Sequence, residues 1–299
     1  MKKKIEALKK EKNAVIMAHY YAPSEAQEIA DFVGDSFYLA KVAKESTADV
    51  IVFCGVNFMG ESAKILCPDK KVLMPDLTAD CPMAHMVKEG KIDEMRERFS
   101  DLAVACYINS TAELKCQSDV CVTSSNAVKI VKALPNKNIF FIPDRNLGRY
   151  VASQVPEKNI ILNDGCCPIH ADVTAASVKA EIEKHNDASV LCHPECEPEL
   201  LELSHFSGST AEIIDFAKSS DKKEFIICTE EGVGFKLMSD NPDKKFYFPS
   251  PCPVCKDMKL NTLENILKVL ETEENQVEVS EDTRTAALLP LDRMLELGK

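Results

Sequence analysis

The run Val-Ile-Met-Ala-His at Val15–His19 is the first of three short apolar segments that each end in an imidazole or a phenol. The second is Leu-Ala-Val-Ala-Cys-Tyr at Leu102–Tyr107, and the third is Val-Leu-Cys-His at Val190–His193. Their final residues lie 88 and then 86 residues apart (107 − 19 and 193 − 107). A regular spacing of this length is typical of a chain built from repeated structural units.

Two further sets of landmarks follow the same spacing. Hydroxyl residues precede helix-patterned stretches at intervals of 88 and 86 residues (124 − 36 and 210 − 124), and they are Ser36, Ser124 and Thr210. Cysteines close the repeats at intervals of 86 and 88 residues (167 − 81 and 255 − 167), and they are Cys81, Cys167 and Cys255. Agreement among three independent sets predicts a threefold repeat.

Within each repeat, strand-like and helix-like stretches alternate. A second apolar strand is predicted at Val50–Phe53, Ile139–Ile142 and Phe225–Ile227, followed by a helix and a third short strand ending at the cysteine. Such alternation predicts a parallel sheet between helices, because parallel strands need crossover connections. We expect an α/β fold of three units related by a pseudo-threefold axis, with the active site at their common interface.

The expected unit boundaries follow from the cysteines that close the repeats. They give a first unit at 1–81, a second at 82–167 and a third at 168–259. The helix-rich tail at 260–299 has no counterpart in the period, and we expect it to pack on the first unit.

The amino-acid composition argues against several classes of binding partner. The chain has 36 basic and 48 acidic residues and a net charge of -12, which argues against nucleic acid or an anionic membrane as the main partner. No stretch approaches the ~18 to 20 apolar residues that span a bilayer, and Met1–Lys12 lacks the apolar core of a secretion signal. We therefore expect a cytoplasmic protein, whose thirteen cysteines point to metal or redox chemistry rather than to disulfides.

Convergence of the three units would make Cys81, Cys167 and Cys255 neighbours. Three thiolates suit an iron-sulfur cluster whose fourth iron is open to substrate as a Lewis acid, while zinc bound by three cysteines and water is the competing interpretation. The cysteines could also be ordinary buried thiols. Cys166 adjoins Cys167, and Cys252 forms a C-x-x-C pattern with Cys255, which elsewhere indicates zinc or redox chemistry.

Polar residues at the same repeat positions suggest acid-base and anion-binding roles. His19 and His193 occupy equivalent strand ends, with Tyr21 and Glu195 two residues further on. Tyr107 and Asn109 take these places in the second unit. The three hydroxyl residues are either plain helix caps or parts of helix N-termini that bind carboxylate or phosphate.

These residues belong to motifs that resemble those of the quinolinate synthases along nearly the whole chain. The matching motifs are His19–Tyr21, Ile29–Ser36, Phe53–Met59, Met74–Leu77, Tyr107–Ser110, Pro143–Gly148, His193–Pro198 and Cys255–Lys259. The resemblance implies three Rossmann-like α/β/α units around one 4Fe-4S cluster bound by Cys81, Cys167 and Cys255. It implies condensation of iminosuccinate with dihydroxyacetone phosphate to quinolinate for NAD biosynthesis, with iminosuccinate supplied by an aspartate-oxidising enzyme.

By the same resemblance, each site residue carries over to this sequence. The implied catalytic residues are Glu195, His193, Tyr107, Tyr21 and His19. The implied substrate-binding residues are His19, Ser36, Tyr107, Asn109, Ser124, His193, Glu195 and Thr210. The chain departs from the family pattern near Asn163, where an aromatic residue is common, and at the doubled Cys166-Cys167. Cys167 is preferred because it lies three residues before His170, but Cys166 stays open.

Two other functions compete with this one. The first is a zinc-dependent aldolase or hydrolase on the same cysteines, and the second is a non-catalytic iron-sulfur redox sensor. A sensor needs a surface for DNA or a partner, and the sequence contains no basic helix-turn-helix stretch.

Overall fold

The computed structural model describes residues 1–299 and contains three four-stranded parallel sheets. The first sheet consists of β1 (Ala14–His19), β2 (Phe32–Gly34), β3 (Val50–Cys54) and β4 (Lys71–Leu73). The second consists of β5 (Leu102–Tyr107), β6 (Val120–Val122), β7 (Asn138–Ile142) and β8 (Asn159–Leu162). The third consists of β9 (Ser189–Cys192), β10 (Phe206–Ser207), β11 (Glu224–Cys228) and β12 (Lys245–Tyr247).

All three sheets share one strand order, in which the first strand of each sheet lies between the second and the third. The orders are β2-β1-β3-β4, β6-β5-β7-β8 and β10-β9-β11-β12. The predicted α/β class with parallel sheets is therefore confirmed, and the predicted second strands correspond to β3, β7 and β11. The pseudo-threefold axis and the unit boundaries at 81, 167 and 259 stay predictions.

Helices connect the strands within each sheet. The helices around the first sheet are α1 (Lys2–Glu11), α2 (Ser24–Ile29), α3 (Ser36–Glu45) and α4 (Asn57–Leu66). Those around the second are α5 (Lys91–Arg98), α6 (Ala112–Cys116), α7 (Ala127–Ala133) and α8 (Arg145–Gln154). Those around the third are α9 (Pro168–Ala171), α10 (Ala175–Lys184), α11 (Pro198–Leu201), α12 (Thr210–Ser219) and α13 (Val233–Asp240). None of the helices combines the length and the apolar character that crossing a bilayer requires.

Central strands are buried on both faces, as parallel strands covered by helices must be. Every residue of β3 and β5 is buried, which explains why these segments read as continuous apolar runs. The largest hydrophobic core joins the first two sheets, with Phe53 and Phe141 among its members. The third sheet has separate cores on its two faces.

The tail forms α14 (Leu263–Thr272) and α15 (Glu281–Leu297). The first of these helices packs on α1 and β3, as expected for a tail on the first unit. The second packs mainly on α6 and β6, and also on α4. The tail is therefore divided between the first two sheets rather than packed on the first alone, because buried Ala287 and Leu291 of α15 belong to the core that these sheets share.

The third strands do not end at the cysteines, and this expectation was wrong. The strands β4, β8 and β12 stop 8, 5 and 8 residues before Cys81, Cys167 and Cys255 (81 − 73, 167 − 162 and 255 − 247). Proline stands in two of these gaps, at Pro75 and Pro251. Proline cannot donate a backbone hydrogen bond to a strand ladder, which helps to end β4 and β12 before Cys81 and Cys255.

Gln27 of α2 links the first sheet region to α13. Its buried Nε2 lies 2.8 Å from the Tyr20 carbonyl, 2.9 Å from that of Ala22 and 3.0 Å from that of Gly232. Gln27→Leu keeps the size of the side chain but leaves these carbonyls without a donor. We expect it to lower the free energy of unfolding by about 1 to 3 kcal/mol, measured by urea unfolding.

The matched control is Gln154→Leu, which replaces an exposed glutamine at the end of α8. It should change the free energy of unfolding by no more than about 0.5 kcal/mol. Equal stability of the Gln27→Leu and wild-type proteins would show that these three bonds contribute nothing.

Candidate active site

One cavity, of about 860 Å³ including the solvent at its mouth, lies at the carboxyl ends of the central strands. All twelve residues that the sequence indicated for catalysis, substrate binding or metal ligation border it. They are His19, Tyr21, Ser36, Cys81, Tyr107, Asn109, Ser124, Cys167, His193, Glu195, Thr210 and Cys255. Residues more than eighty positions apart are thus brought together by the three sheets.

The three cysteines occupy similar local structures. Cys81 precedes the 3-10 turn Pro82–His85, and Cys167 precedes α9. Cys255 precedes a turn that leads into the 3-10 helix Met258–Leu260. Because the backbone of each turn folds back over the preceding side chain, its N–H groups can reach the sulfur.

Backbone N–H groups of these turns interact with each cysteine sulfur. They belong to Met83 and Ala84 for Cys81, to His170 for Cys167, and to Asp257 and Met258 for Cys255. Burial nevertheless raises the pKa of Cys81 to about 12 and raises the pKa of Cys167 and Cys255 as well. A bound cation would offset this cost, because metal ligation requires the thiolate.

Buried carboxylates hold two of the cysteine loops. Cys167 donates its backbone N–H to Asp144 Oδ2 at 2.9 Å, and Cys255 donates its backbone N–H to Glu230 Oε1 at 2.9 Å. Asp144 and Glu230 lie 86 residues apart (230 − 144) and each follows its strand by two residues. Sequence reasoning missed both, although their spacing is that of the repeat.

Cys166 and Cys252 lie outside the set that borders the cavity. Cys166 interacts instead with the Arg145 guanidinium, while Cys252 is exposed. The position of Cys167 is thus the one consistent with a ligand that faces the cavity.

Two histidines lie at equivalent strand ends and form equivalent local bonds. His19 Nδ1 is 3.2 Å from the N–H of Tyr21, and His193 Nδ1 is 3.3 Å from the N–H of Glu195. Burial lowers the pKa of His19 to about 3, and burial also lowers the pKa of His193. Burial therefore favours the neutral form of both imidazoles, while Glu195 opposes this effect at His193.

The two carboxylate oxygens of Glu195 lie in different surroundings. Its Oε2 lies 3.0 Å from His170 Nδ1 and 3.1 Å from His193 Nδ1. Its Oε1 is buried and has no hydrogen-bond partner. Burial raises the pKa of this carboxyl, but the two imidazoles outweigh that effect and hold it below its usual range. The ionised group therefore presents one free oxygen in the site.

Tyr21 and Tyr107 bring phenols into the cavity from different sheets. The Tyr21 hydroxyl lies 2.7 Å from Thr210 Oγ1 and 2.7 Å from Thr229 Oγ1. Burial raises the pKa of Tyr21 and Tyr107 well above the usual value, so both phenols stay protonated. The buried Asn109 Oδ1 has no partner and is a second polar atom left free for a ligand.

The hydroxyl residues Ser36, Ser124 and Thr210 do not serve as N-caps, which was one of the two roles predicted for them. Asp35 caps α3 and Ser209 caps α12, so Ser36 and Thr210 are the first helical residues. Ser124 lies in a turn three residues before α7. Because other residues satisfy the caps of α3 and α12, the hydroxyls of Ser36 and Thr210 are not needed there.

No lysine or arginine borders the cavity, although five carboxylates do. These are Asp35, Asp80, Glu195, Glu230 and Asp257. Any anionic ligand must therefore be bound by helix N-termini, hydroxyls, imidazoles or a bound metal.

His170 is a further site residue that the sequence used only as a spacing mark. It is buried, its Nδ1 lies 3.2 Å from Cys167 Sγ, and its ring stacks on that of His193 at 4.6 Å. One ligand atom each from Cys167, His170 and Glu195 lie within 4.8 Å of one another, so these residues could hold a single metal ion.

Gly232 lets the Tyr21 segment approach α13. A Cβ at this position would lie 2.8 Å from Tyr21 Cα and 2.9 Å from Glu230 Oε2. Gly232→Ala should therefore displace Tyr21 and lower kcat by about 10²-fold, the size expected for a shift of about 1 Å in a site, as measured by initial-rate kinetics.

Gly234→Ala, two residues further along the chain, is the control, because its Cβ would meet only side chains, the Phe248 ring at 3.3 Å and Met238 Cε at 3.6 Å. Wild-type kcat in Gly234→Ala and in Gly232→Ala alike would contradict the importance of this close approach.

Comparison with known proteins identifies the family of this chain. The family model described as Quinolinate synthetase A protein matches residues 3–296. The quinolinate synthase of Caldicellulosiruptor saccharolyticus is 53% identical over 298 residues, covering 100% of this chain and 98% of that protein. Those of Fusobacterium nucleatum and Clostridioides difficile are 52% identical over 298 residues and 48% identical over 295 residues, covering 100% and 99% of this chain and 99% and 97% of those proteins. The chain therefore belongs to the quinolinate synthetase A family.

Proposed function

We propose that this protein is a quinolinate synthase of de novo NAD biosynthesis. It condenses iminosuccinate with dihydroxyacetone phosphate and releases quinolinate, phosphate and water. One 4Fe-4S cluster is bound by Cys81, Cys167 and Cys255. The observation that carries this proposal is the single cavity bordered by these three cysteines together with the nine predicted polar residues.

The donor set fits an iron-sulfur cluster. Three thiols from three separate loops border one cavity, and each sulfur interacts with backbone N–H groups, which in clusters of this kind tune the potential. When bound, a cluster with three protein ligands supplies an iron that acts as a Lewis acid during dehydration. A reducing cytoplasm would keep these thiols free for ligation.

The substrates carry carboxylates and a phosphate, yet the cavity has no lysine or arginine. The N-termini of α3 and α12 begin at Ser36 and Thr210 and present N–H groups and the positive end of the helix dipole. Together with Ser124 and Asn109, these groups would bind the anionic ends of the substrates.

We assign the proton transfers according to which side-chain atoms have no partner within the protein and how each group is protonated. Glu195 acts as the base through Oε1, the oxygen that has no partner within the protein. His193, His19 and Tyr107 handle the remaining transfers, since burial favours neutral imidazoles and a protonated phenol. Hydrogen bonds to Thr210 and Thr229 hold the Tyr21 hydroxyl in place. From this position Tyr21 orients or covers the ligand.

Iminosuccinate must come from a reaction that oxidises the amino acid aspartate to its imine. Imines of this type hydrolyse in water, so the supplying enzyme has to deliver the compound quickly. An aspartate-oxidising enzyme is therefore the proposed partner.

A zinc-dependent aldolase or hydrolase is the second candidate. The observation that favours it is the set of Cys167, His170 and Glu195, which could hold one metal ion without the other two cysteines. Zinc at this position would occupy Glu195 and remove it as a base.

Anaerobic purification followed by metal, sulfide and product analysis separates these functions. The proposal predicts iron and acid-labile sulfide in equal amounts, and quinolinate formed from iminosuccinate and dihydroxyacetone phosphate. Zinc without sulfide and without quinolinate formation would overturn it in favour of the second candidate.

A further inference from the structure

Lys115 of α6 is a buried lysine that lies behind the lining of the active-site cavity. Its side chain is 0% exposed, and its Nζ donates a hydrogen bond to the Ser110 carbonyl. Nζ also lies 5.6 Å from the centroid of the Phe58 ring. Phe58 and Asn109, the residue before Ser110, both border the cavity. The ammonium group is therefore separated from the cavity by the residues of its wall.

The charge of Lys115 has no ion-pair partner. No carboxylate oxygen lies within 4.0 Å of its Nζ. By contrast, the Nζ of Lys259, which follows the cavity residue Met258, lies 3.0 Å from Glu230 Oε1 and 2.8 Å from Glu231 Oε1. A buried charge without a partner is costly. The positive charge of Lys115 is thus left available to an anion that enters from outside the protein.

The first repeat shows that the hydrogen bond made by Lys115 requires no charge. Gln27 lies 88 residues before Lys115 (115 − 27), and Ala22 lies 88 residues before Ser110 (110 − 22). Gln27 Nε2 donates to the Ala22 carbonyl at 2.9 Å, which is the equivalent bond. In the third repeat the position holds Leu201 (201 − 115 = 86). Because a neutral amide forms the same bond, the bond alone does not explain the ammonium group.

We infer that Lys115 supplies the positive charge that attracts the anionic substrates into the cavity. The lining has five carboxylates and no lysine or arginine, so a dianion would otherwise meet repulsion. A buried charge is screened much less than an exposed one, so it acts through intervening side chains. Lys115 is therefore a positioning residue that acts through Asn109 and Phe58. The inference rests on the proposed function for the identity of the ligands.

Two groups near Lys115 can oppose its charge. Glu61 of α4 accepts a hydrogen bond from the Ala112 N–H at 3.0 Å, and burial raises its pKa although Lys115 opposes this effect. Burial also raises the pKa of the Cys106 thiol, but hydrogen bonding with Cys121 and the charge of Lys115 outweigh burial and lower it to about 7. A thiol is neutral below its pKa, so binding is best measured at about pH 6.5.

Lys115→Gln tests the charge alone, because a glutamine side chain forms the same bond in the first repeat. Quinolinate carries two carboxylates and picolinate carries one, and calorimetry on the anaerobic holoenzyme compares their dissociation constants. We expect Lys115→Gln to weaken quinolinate binding about 10-fold and picolinate binding only about threefold, since each carboxylate interacts with the charge. KM should rise about 10-fold, with kcat within about twofold of wild type.

Glu61→Gln makes the opposite change in charge. It removes a negative charge near Lys115, and its amide oxygen can still accept from Ala112. We expect quinolinate to bind about two- to threefold more tightly. A gain in affinity does not arise from damaged packing, so this variant tests the inference even if Lys115→Gln fails to fold. Lys132→Gln, which changes an exposed lysine of α7, alters the net charge as Lys115→Gln does and should match wild type.

A structural role for Lys115 predicts a different pattern. Equal weakening of quinolinate and picolinate binding in Lys115→Gln, with a lower kcat, would overturn the inference, and so would unchanged affinity for both. Failure of Glu61→Gln to bind quinolinate more tightly would also overturn it. A wild-type enzyme that neither forms nor binds quinolinate would instead refute the proposed function.

Discussion

Glu195→Gln is expected to lower kcat by about 10²- to 10⁴-fold, the range associated with the loss of a general base. Glutamine keeps the size of the side chain and can still accept from His170 Nδ1 through one oxygen. Its amide nitrogen then takes the place of the free Oε1 and donates rather than accepts. The initial rate of quinolinate formation under anaerobic conditions measures the effect.

Two controls make this result specific. Iron content in Glu195→Gln should equal that of wild type, because the residue is not a proposed ligand. Glu199→Gln, which changes an exposed glutamate at the start of α11, should keep the wild-type rate. An unchanged kcat in Glu195→Gln would refute the assignment of this carboxylate as the base.

Cys167→Ser is expected to lose both the cluster and quinolinate formation, and Cys81→Ser and Cys255→Ser are expected to do the same. A serine hydroxyl is rarely ionised and is a harder ligand than a thiolate, so it replaces the sulfur poorly. Iron and acid-labile sulfide per chain, measured on anaerobically purified protein, give the direct comparison.

The doubled cysteine provides a matched control within the same dipeptide. Cys166→Ser removes a thiol that interacts with Arg145 and does not border the cavity, so it should retain iron, sulfide and activity. Cys252→Ser should behave in the same way. Loss of iron in Cys166→Ser with retention in Cys167→Ser would show that the wrong member of the pair was assigned.

Periodicity made much of the fold predictable from the sequence. The apolar runs that become β1, β5 and β9 are buried on both faces, so their composition alone marks them as central parallel strands. Their common spacing then predicts which residues stand at equivalent strand ends. The convergence of Cys81 and Cys167 on one cavity follows from this equivalence.

Other features depend on where a side chain points, which the spacing of residues along the sequence does not determine. Adjacent cysteines at 166 and 167 face different surroundings, and no periodic pattern distinguishes them. The hydrogen bond between Thr229 and Tyr21 joins residues that follow strands of different sheets, so the sequence pattern of one repeat cannot predict it. The position of α15 depends on a core shared by two sheets, which a pattern within one helix cannot predict.

Iron anomalous diffraction from crystals grown without oxygen tests whether the three cysteines bind one cluster, since it locates the metal and its ligands together. We predict a single four-iron cluster in the cavity, bonded to the sulfurs of Cys81, Cys167 and Cys255, with one iron lacking a protein ligand. Anomalous density elsewhere, or a lone metal ion held by Cys167, His170 and Glu195, would contradict it.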